Sequence, residues 1–518
     1  MKSQELSLVL LNGKVITFDE GDTHAEAVAV SGNRIAFVGT SEEAGKLVGG
    51  STQVVDLDGK VLLPGFIDAH THFIQMGLTF DMIDLREAKS LSDALETVRE
   101  RASRTPKGQF VVGVNWDESK WSEMRYITRS DLDTVTTNHP VVLVRMDGHM
   151  ISVNSTLLEL VKIPRGKRGV EVDKRGEPTG VLKEEAADYV RSLSPADPET
   201  MMNALQKATD HAHMLGVTSV HDTVSSNEIS TYLSALKANK LKVRVYLNFK
   251  EELLESVLKL GLSTGFGNDK LKLGALKLFA DGSIGSRTAA LSGEFVDEPG
   301  NKGILMFEKD RLQDIVVRAH KKVIQVAIHA IGDRGIELVM RAIENTSKRN
   351  PRENHRHRLE HMELVTDEQI SKAVKLDVVA SMQPNFIGEW GLPGGMYEKR
   401  LGRYWVEQNN PYRKIIDEGG MIAFGSDCMP FSPLYGIHWA VNAPMKSQRI
   451  KVHEAIKCYT KNAAYASFEE DLKGSIEPGK LADMVALSKD PYRSPDLIKD
   501  IQVSLTVFDG KIVYLQQD

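Results

Sequence analysis

Apolar residues cluster in short runs near both ends of the chain and follow a strand-then-helix rhythm between them. In the first ~60 residues, LVLLNGKVITFD, HAEAVAVSGNRIAFVGT and TQVVDLDGKVLLPG each set a turn between apolar runs. The turns are Asn12-Gly13, Ser31–Asn33 and Asp58-Gly59, and each predicts a β-hairpin. DMVALS and VSLTVFDGKIVYL, with Asp509-Gly510, repeat the plan near the other end. Two hairpin-rich ends can pair into one small composite β-sandwich, predicted over 1–63 and 474–518, with the middle of the chain inserted into it.

The middle segment supplies eight strand candidates: 65–70, 217–222, 243–249, 273–281, 324–329, 357–361, 378–383 and 421–427. Helix-like stretches such as RLQDIVVRAHKKV and TDEQISKAVKL separate them. Strand and helix in alternation imply parallel strands, and eight such units imply closure. The predicted fold class is therefore α/β, a (β/α)8 TIM barrel over 64–473. About 140 residues separate the first two strands, far more than a βα loop needs. An insertion is thus predicted after barrel strand 1, over 75–200.

Hydrophobic residues make up 41% and charged residues 26% of 518, with a formal charge of -6, as in ordinary globular proteins. Nothing in that balance attracts nucleic acid, and the basic cluster Lys162–Arg168 is short enough to be a solvated loop. The opening MKSQELSLVL lacks a signal-peptide layout, and no run reaches the ~18 apolar residues of a membrane span. A cytoplasmic protein with a small-molecule substrate and no membrane partner is expected. The sandwich edges and barrel helices leave room for a homodimer. The two cysteines, Cys428 and Cys458, exclude a disulfide framework and a cysteine zinc cage. Metal ligands must then be His, Asp, Glu or modified Lys.

Active sites of such barrels lie where the strands end. His70 and His72 end strand 1, Lys277 lies on strand 4, His329 ends strand 5, His361 ends strand 6, and Asp427 ends strand 8. Side chains two apart on a strand share a face, so His70 and His72 can reach one ion. His211 and His213 fall in a helical stretch, where the same spacing makes them diverge. Four imidazoles and a carboxylate suit a divalent metal such as Zn2+, as one or two ions. A protonated Lys277 would be repelled there, whereas a carboxylated Lys277 is anionic and can bridge two ions; the alternative is an ion pair with Asp281. Asp427 is the candidate base: it can touch both the metal and the water whose pKa the metal lowers.

GKVLLPGFIDAHTH, AIHAIGD, RLEHMEL, FGSD and GSIEPGKLADMVAL together resemble the amidohydrolase superfamily. VNWDESKW, DGHMISVNS, PTGVLKEEA, GVTSVHD and KLFADGSIGSRTAAL resemble its branch that includes N-substituted formamide deformylases. The resemblance implies hydrolysis of an amide-like C–N bond, the alternatives being ester, lactone or deaminating hydrolysis on the same site, or a catalytically silent metal-bound scaffold. It also implies one ion on His70, His72 and Asp427, and a second on His329 and His361, with carboxylated Lys277 bridging.

Further residues are candidates for substrate binding. His149 and Asp147 lie in the insertion, within the segment resembling the branch motif. Trp116 and Asp117 precede them, while Asp281, Ser283 and Arg287 follow strand 4 on the catalytic face. Arg287 can bind a carboxylate with two parallel bonds or pin its own loop. Glu360 and His221 occupy strand ends, where carboxylates commonly orient ligand imidazoles. GLPGG at 391–395 reads as a mobile loop after strand 7, able to act as a lid.

Overall fold

The computed structural model describes residues 6–163, 167–192 and 196–516, for 192 and 403–408 the backbone alone. Part of the basic cluster Lys162–Arg168 lies outside the described residues. Eight parallel strands form the central sheet: β1 (Phe66–Thr71), β2 (Val217–Val224), β3 (Arg244–Lys250), β4 (Leu271–Phe279), β5 (Val326–Ala330), β6 (Arg358–His361), β7 (Val379–Met382) and β8 (Ile422–Phe424). Neighbours pair in sequence order, so the fold is a TIM barrel with additional sheets. Both faces of these strands are covered, which is why they read as nearly continuous apolar runs.

The barrel closes past the end of β8. Asp427 N donates to His70 O at 2.9 Å, and Ser426 N donates to Asp68 Oδ1 at 2.9 Å. Gly425 permits this approach, because a Cβ there would stand 2.3 Å from His70 N. Two strands end earlier than their apolar runs predict. β8 stops at Phe424 and β4 at Phe279, so Asp427 and Asp281 sit in the turns beyond. Asp427 and the following Cys428 turn the chain outward with left-handed φ angles of 52° and 61°.

The chain between β1 and β2 carries a six-stranded sheet of its own. Its strands are ordered Val170–Val172, Pro178–Lys183, Met150–Val153, Val141–Arg145, Val111–Trp116 and Ile83–Asp84. Separate apolar clusters form on it around Trp116 and Trp121 and around Ile151 and Leu182.

Near the ends of the chain two sheets pack face to face. One joins Arg34–Gly39, Ala27–Ser31, Leu8–Leu11 and Gln53–Asp56. The other joins Lys511–Leu515, Val503–Phe508, Met484–Leu487, Val61–Pro64, Lys14–Ile16 and His24–Ala25. Leu10, Val30, Leu62, Met484 and Leu505 share the core between them. Ser31–Asn33 and Asp509-Gly510 do turn hairpins. Asn12-Gly13 and Asp58-Gly59 do not: at each, the chain leaves one sheet and enters the other. The flanking strands pair in parallel across the two crossings, Leu8–Leu11 with Gln53–Asp56 and Lys14–Ile16 with Val61–Pro64. Turn chemistry supplied the left-handed residues, with Asn12 at φ 54° and Asp58 at 50°, but partners distant in sequence decided the pairing. Below the barrel, Arg244 of β3 ties to Asp483 at 2.6 and 3.0 Å and to Asp509 at 3.1 Å. Among the described residues, no helix is long and apolar enough to cross a membrane.

Candidate metal centre

β1 carries His70 to the rim, and His72 caps the helix Phe73–Thr79 that follows. Across the closure, Asp427 Oδ1 lies 3.6 Å from His70 Nε2 and 3.4 Å from His72 Nε2. One donor atom from each of the three falls within 4.8 Å of the others. Asp427 Oδ1 is buried without a hydrogen-bond partner, as expected of an atom shaped to meet a cation.

The outer groups fix which lone pairs face inward. His70 Nδ1 contacts Glu360 Oε2 at 2.5 Å, so the ring donates there and turns an unprotonated Nε2 toward Asp427 and His72. Arg358 grips Glu360 from Nε at 2.7 Å and from Nη2 at 3.1 Å, and its Nη1 donates to His221 Nδ1 at 2.8 Å. Burial pushes the Glu360 carboxyl up, but Arg358 and then His70 outweigh it and hold Glu360 well below the usual carboxylate range. Glu360 is therefore an anion in the barrel interior.

His361 and His329 complete the ring of imidazoles. The His361 ring lies 4.7 Å from His70 and 4.4 Å from His329, centroid to centroid. A left-handed backbone at His361, φ 72°, aims it inward, and its buried Nδ1 has no partner. His329 Nε2 faces Gly282 O at 3.1 Å, which makes Nε2 the protonated nitrogen. Burial drives the imidazoles of His72, His329 and His361 well below the usual histidine range. Neutral imidazoles are the form that binds metal. Lys277 Nζ lies 3.4 Å from His70 Nε2, and burial lowers its pKa to about 8. Its expected alternative partner, Asp281, is occupied elsewhere, accepting the N–H groups of Ala290, Ile331 and Gly332. Burial pushes the Asp427 carboxyl up, against the pull of His70 and Lys277. This donor set fits a divalent metal.

A pocket opens over the ring. His149, Asp147 and Ser283 lie on one side, with Glu363 beside His361. Phe386, Trp390, Met396, Tyr397, Ile284 and Met429 supply the apolar lining. Burial would lower the His149 pKa, but Glu184, 2.9 Å from its Nδ1, outweighs it and raises the group to about 9.

Several sequence candidates lie elsewhere. Trp116 is fully buried in the inserted sheet, its ring 6.0 Å from that of Trp121 and its Nε1 donating to Leu143 O at 3.0 Å. An indole of that size fills the inserted sheet's core rather than the cavity. Arg287 forks onto Asp297 at 2.7 and 3.2 Å, which pins its own loop and leaves no fork for a substrate. Asp281 is consumed by three backbone N–H groups, as above, and is an internal brace. His213 binds Lys242 O at 2.8 Å while His211 turns to Phe80, so that pair diverges as its helix requires. Sequence reading missed Glu363, Tyr397, Phe386, Trp390, Met396 and Arg358. The aromatic-rich NFIGEW and GMYEK segments after strand 7 held a signal, because they leave β7 on the catalytic face.

The profile of the Amidohydrolase family matches residues 53–514. The chain belongs to the amidohydrolase family. This amidohydrolase is 32% identical to "Putative amidohydrolase YtcJ" of Bacillus subtilis (strain 168), over 96% of this chain and 97% of that one. It is 30% identical to the N-substituted formamide deformylase of Arthrobacter pascens, over 99% of each chain. An uncharacterized metal-dependent hydrolase from Pyrococcus furiosus shares its structure with a TM-score of 0.76 and 28% identity, covering 94% of this amidohydrolase and 99% of that chain. These relatives support a hydrolase activity, and the His70, His72 and Asp427 donor set supports a divalent metal.

Proposed function

We propose that the protein hydrolyses a non-peptide C–N bond in a small amide, formamide or cyclic amide, using Zn2+ held by His70, His72 and Asp427. The observation that carries this reading is the convergence of those three donors beneath a cavity rimmed by His149, His329 and His361. His329, His361 and a carboxylated Lys277 would hold a second ion. A lysine with a pKa of about 8 exposes some neutral amine near pH 7.5, the form that reacts with CO₂.

When bound, the cation supplies Lewis acidity to the carbonyl and acidity to water. The chain's own groups do the rest. Glu360 and Arg358 lock His70 in the tautomer that faces Asp427. Asp427, with Oδ1 turned to the cation site, accepts the proton of the attacking water at Oδ2 and delivers it to the departing nitrogen. His149, steadied by Glu184, faces the space above. The apolar side chains beyond β7 exclude bulk water and take up the substituent on the amide.

The test is a panel of formamides, N-acyl amines and cyclic amides offered to metal-free and reconstituted protein. Hydrolysis should vanish on chelation and return with zinc; full turnover without metal would reject the proposal. Mass spectrometry of the intact protein should show one added CO₂ if Lys277 bridges. A single ion beside unmodified Lys277 would favour deaminating hydrolysis at the same centre.

A further inference from the structure

Beside the apolar cluster of Met146, Ile284, Phe386 and Trp390, the wall of the cavity facing the inserted sheet carries a group of buried charges. Asp117, Glu118, Arg145, Asp147 and Arg400 are each no more than 7% exposed. Arg145 stands in the middle. Its Nε donates to Glu118 at 2.8 Å, its Nη2 reaches Asp117 at 3.2 Å, and its Nη1 lies 3.0 Å from Asp147. Each carboxylate then holds a different part of the wall. Asp117 Oδ2 accepts from Trp390 Nε1 at 3.1 Å. Glu118 pairs with Arg400, whose Nη1 donates to Ile284 O at 3.0 Å. Asp147 accepts from Ser283 Oγ at 2.7 Å and from the backbone N of His149 at 3.2 Å.

Three segments far apart in sequence thus meet at the carboxylates around Arg145: the inserted sheet, the turn after β4 and the helices after β7. Trp390, Ile284, Ser283 and His149 all line the cavity. Buried ion clusters of this kind break even at best against apolar packing of equal volume, so stability alone is a poor account of five such residues. A planar fork bonded to Glu118 and Asp117 and paired in charge with Asp147 sets directions instead, which a lysine cannot do.

We propose that Arg145 is a positioning residue for the hydrolytic site: through Asp117, Glu118 and Asp147 it sets where Trp390, Ile284 and His149 stand, and so which amide substituents the cavity accepts. This rests on the hydrolase reading above. Arg145 touches neither the reacting atoms nor the metal ligands, and its effect belongs to substrate binding.

The experiment compares wild-type protein with Arg145→Lys and, as an isosteric second variant, Asp117→Asn. Three readouts are taken: metal content by elemental analysis, hydrogen exchange over residues 385–401, and kcat and KM on amides with small and bulky substituents. Both variants should keep wild-type metal content and exchange faster over 385–401. KM should rise on the order of tenfold with kcat less affected, and the ratio between small and bulky substrates should change. Unaltered exchange and an unaltered substrate ratio in a folded Arg145→Lys protein would overturn the proposal, as would loss of metal in step with activity. Wild-type protein that binds metal but hydrolyses no amide would instead reject the hydrolase reading. Hydrogen exchange would then decide the positioning on its own.

Discussion

Both ends of the barrel carry a buried group of histidines, and only one is built to receive something. At the C-terminal rim, His361 Nδ1 and Asp427 Oδ1 are buried without partners. At the N-terminal end, His320, His355 and His357 form a closed chain. His320 Nε2 donates to Asn350 O at 2.8 Å, so its Nδ1 accepts from His357 Nε2 at 2.8 Å. His357 Nδ1 then accepts from Val326 N at 3.1 Å, and His355 Nδ1 accepts from His357 N at 3.0 Å. That pattern fits three neutral rings. Counting histidines cannot separate the two groups, whereas counting unspent lone pairs does.

Removing a spare lone pair at the rim should cost chemistry, and removing a spent one at the far end should cost stability. The largest effect is expected for Asp427→Ala, which should lower kcat/KM on a hydrolysed amide by about 10²–10⁴-fold, measured by steady-state kinetics after zinc reconstitution. Glu360→Gln keeps the shape but loses the anion behind His70. It should weaken zinc binding about 10–100-fold in a competition titration with a chromophoric chelator. His357→Ala strands Val326 N–H and His320 Nδ1, and should cost about 3 kcal/mol in urea unfolding while zinc affinity stays at the wild-type value. A fall in zinc affinity there would erase the distinction between the two ends.

The far-end group also sets a pH dependence. Burial lowers the pKa of His320 and His357, and lowers that of His355 to about 4. Below about pH 6.5 the unfolded chain takes up protons that the folded protein refuses. Stability present above that pH is therefore lost as pH falls toward 4, by up to about 1.4 kcal/mol per pH unit for each such proton. His357→Ala should flatten this slope. The smallest effect is expected for Trp116→Phe, which loses the bond to Leu143 O. It should cost about 1 kcal/mol of stability and leave KM unchanged, as befits a core residue of the inserted sheet.

The barrel was legible because strands buried on two faces leave apolar runs, and because His70, His72, His329, His361 and Asp427 fall where those runs stop. Within HRHRLEH the boundary was not legible. His357 and His361 share a parity, yet one lies just before β6 at the bottom and the other ends it at the rim. Trp116 and Arg287 looked like pocket residues because their types suit binding, but a local core and a local carboxylate claimed them first. Asn12-Gly13 and Asp58-Gly59 carried valid turn chemistry, and strands outside the predicted hairpins, Leu8–Leu11 with Gln53–Asp56 and Lys14–Ile16 with Val61–Pro64, assigned it to sheet crossings. Arg145 gave no signal at all, since its meaning lies in three carboxylates whose own partners come from β4 and β7 loops.

Strand Val61–Pro64 runs through Gly65 directly into β1, and it is flanked by Met484–Leu487, with Gly65 N donating to Asp483 O at 2.9 Å. On the ribosome, the segment leading to His70 therefore emerges early and must wait, one edge open, until residues 484–487 are synthesised. The first donors of the candidate site to be made are among the last to be anchored, so a metal ion arriving ahead of that strand would meet an incomplete site.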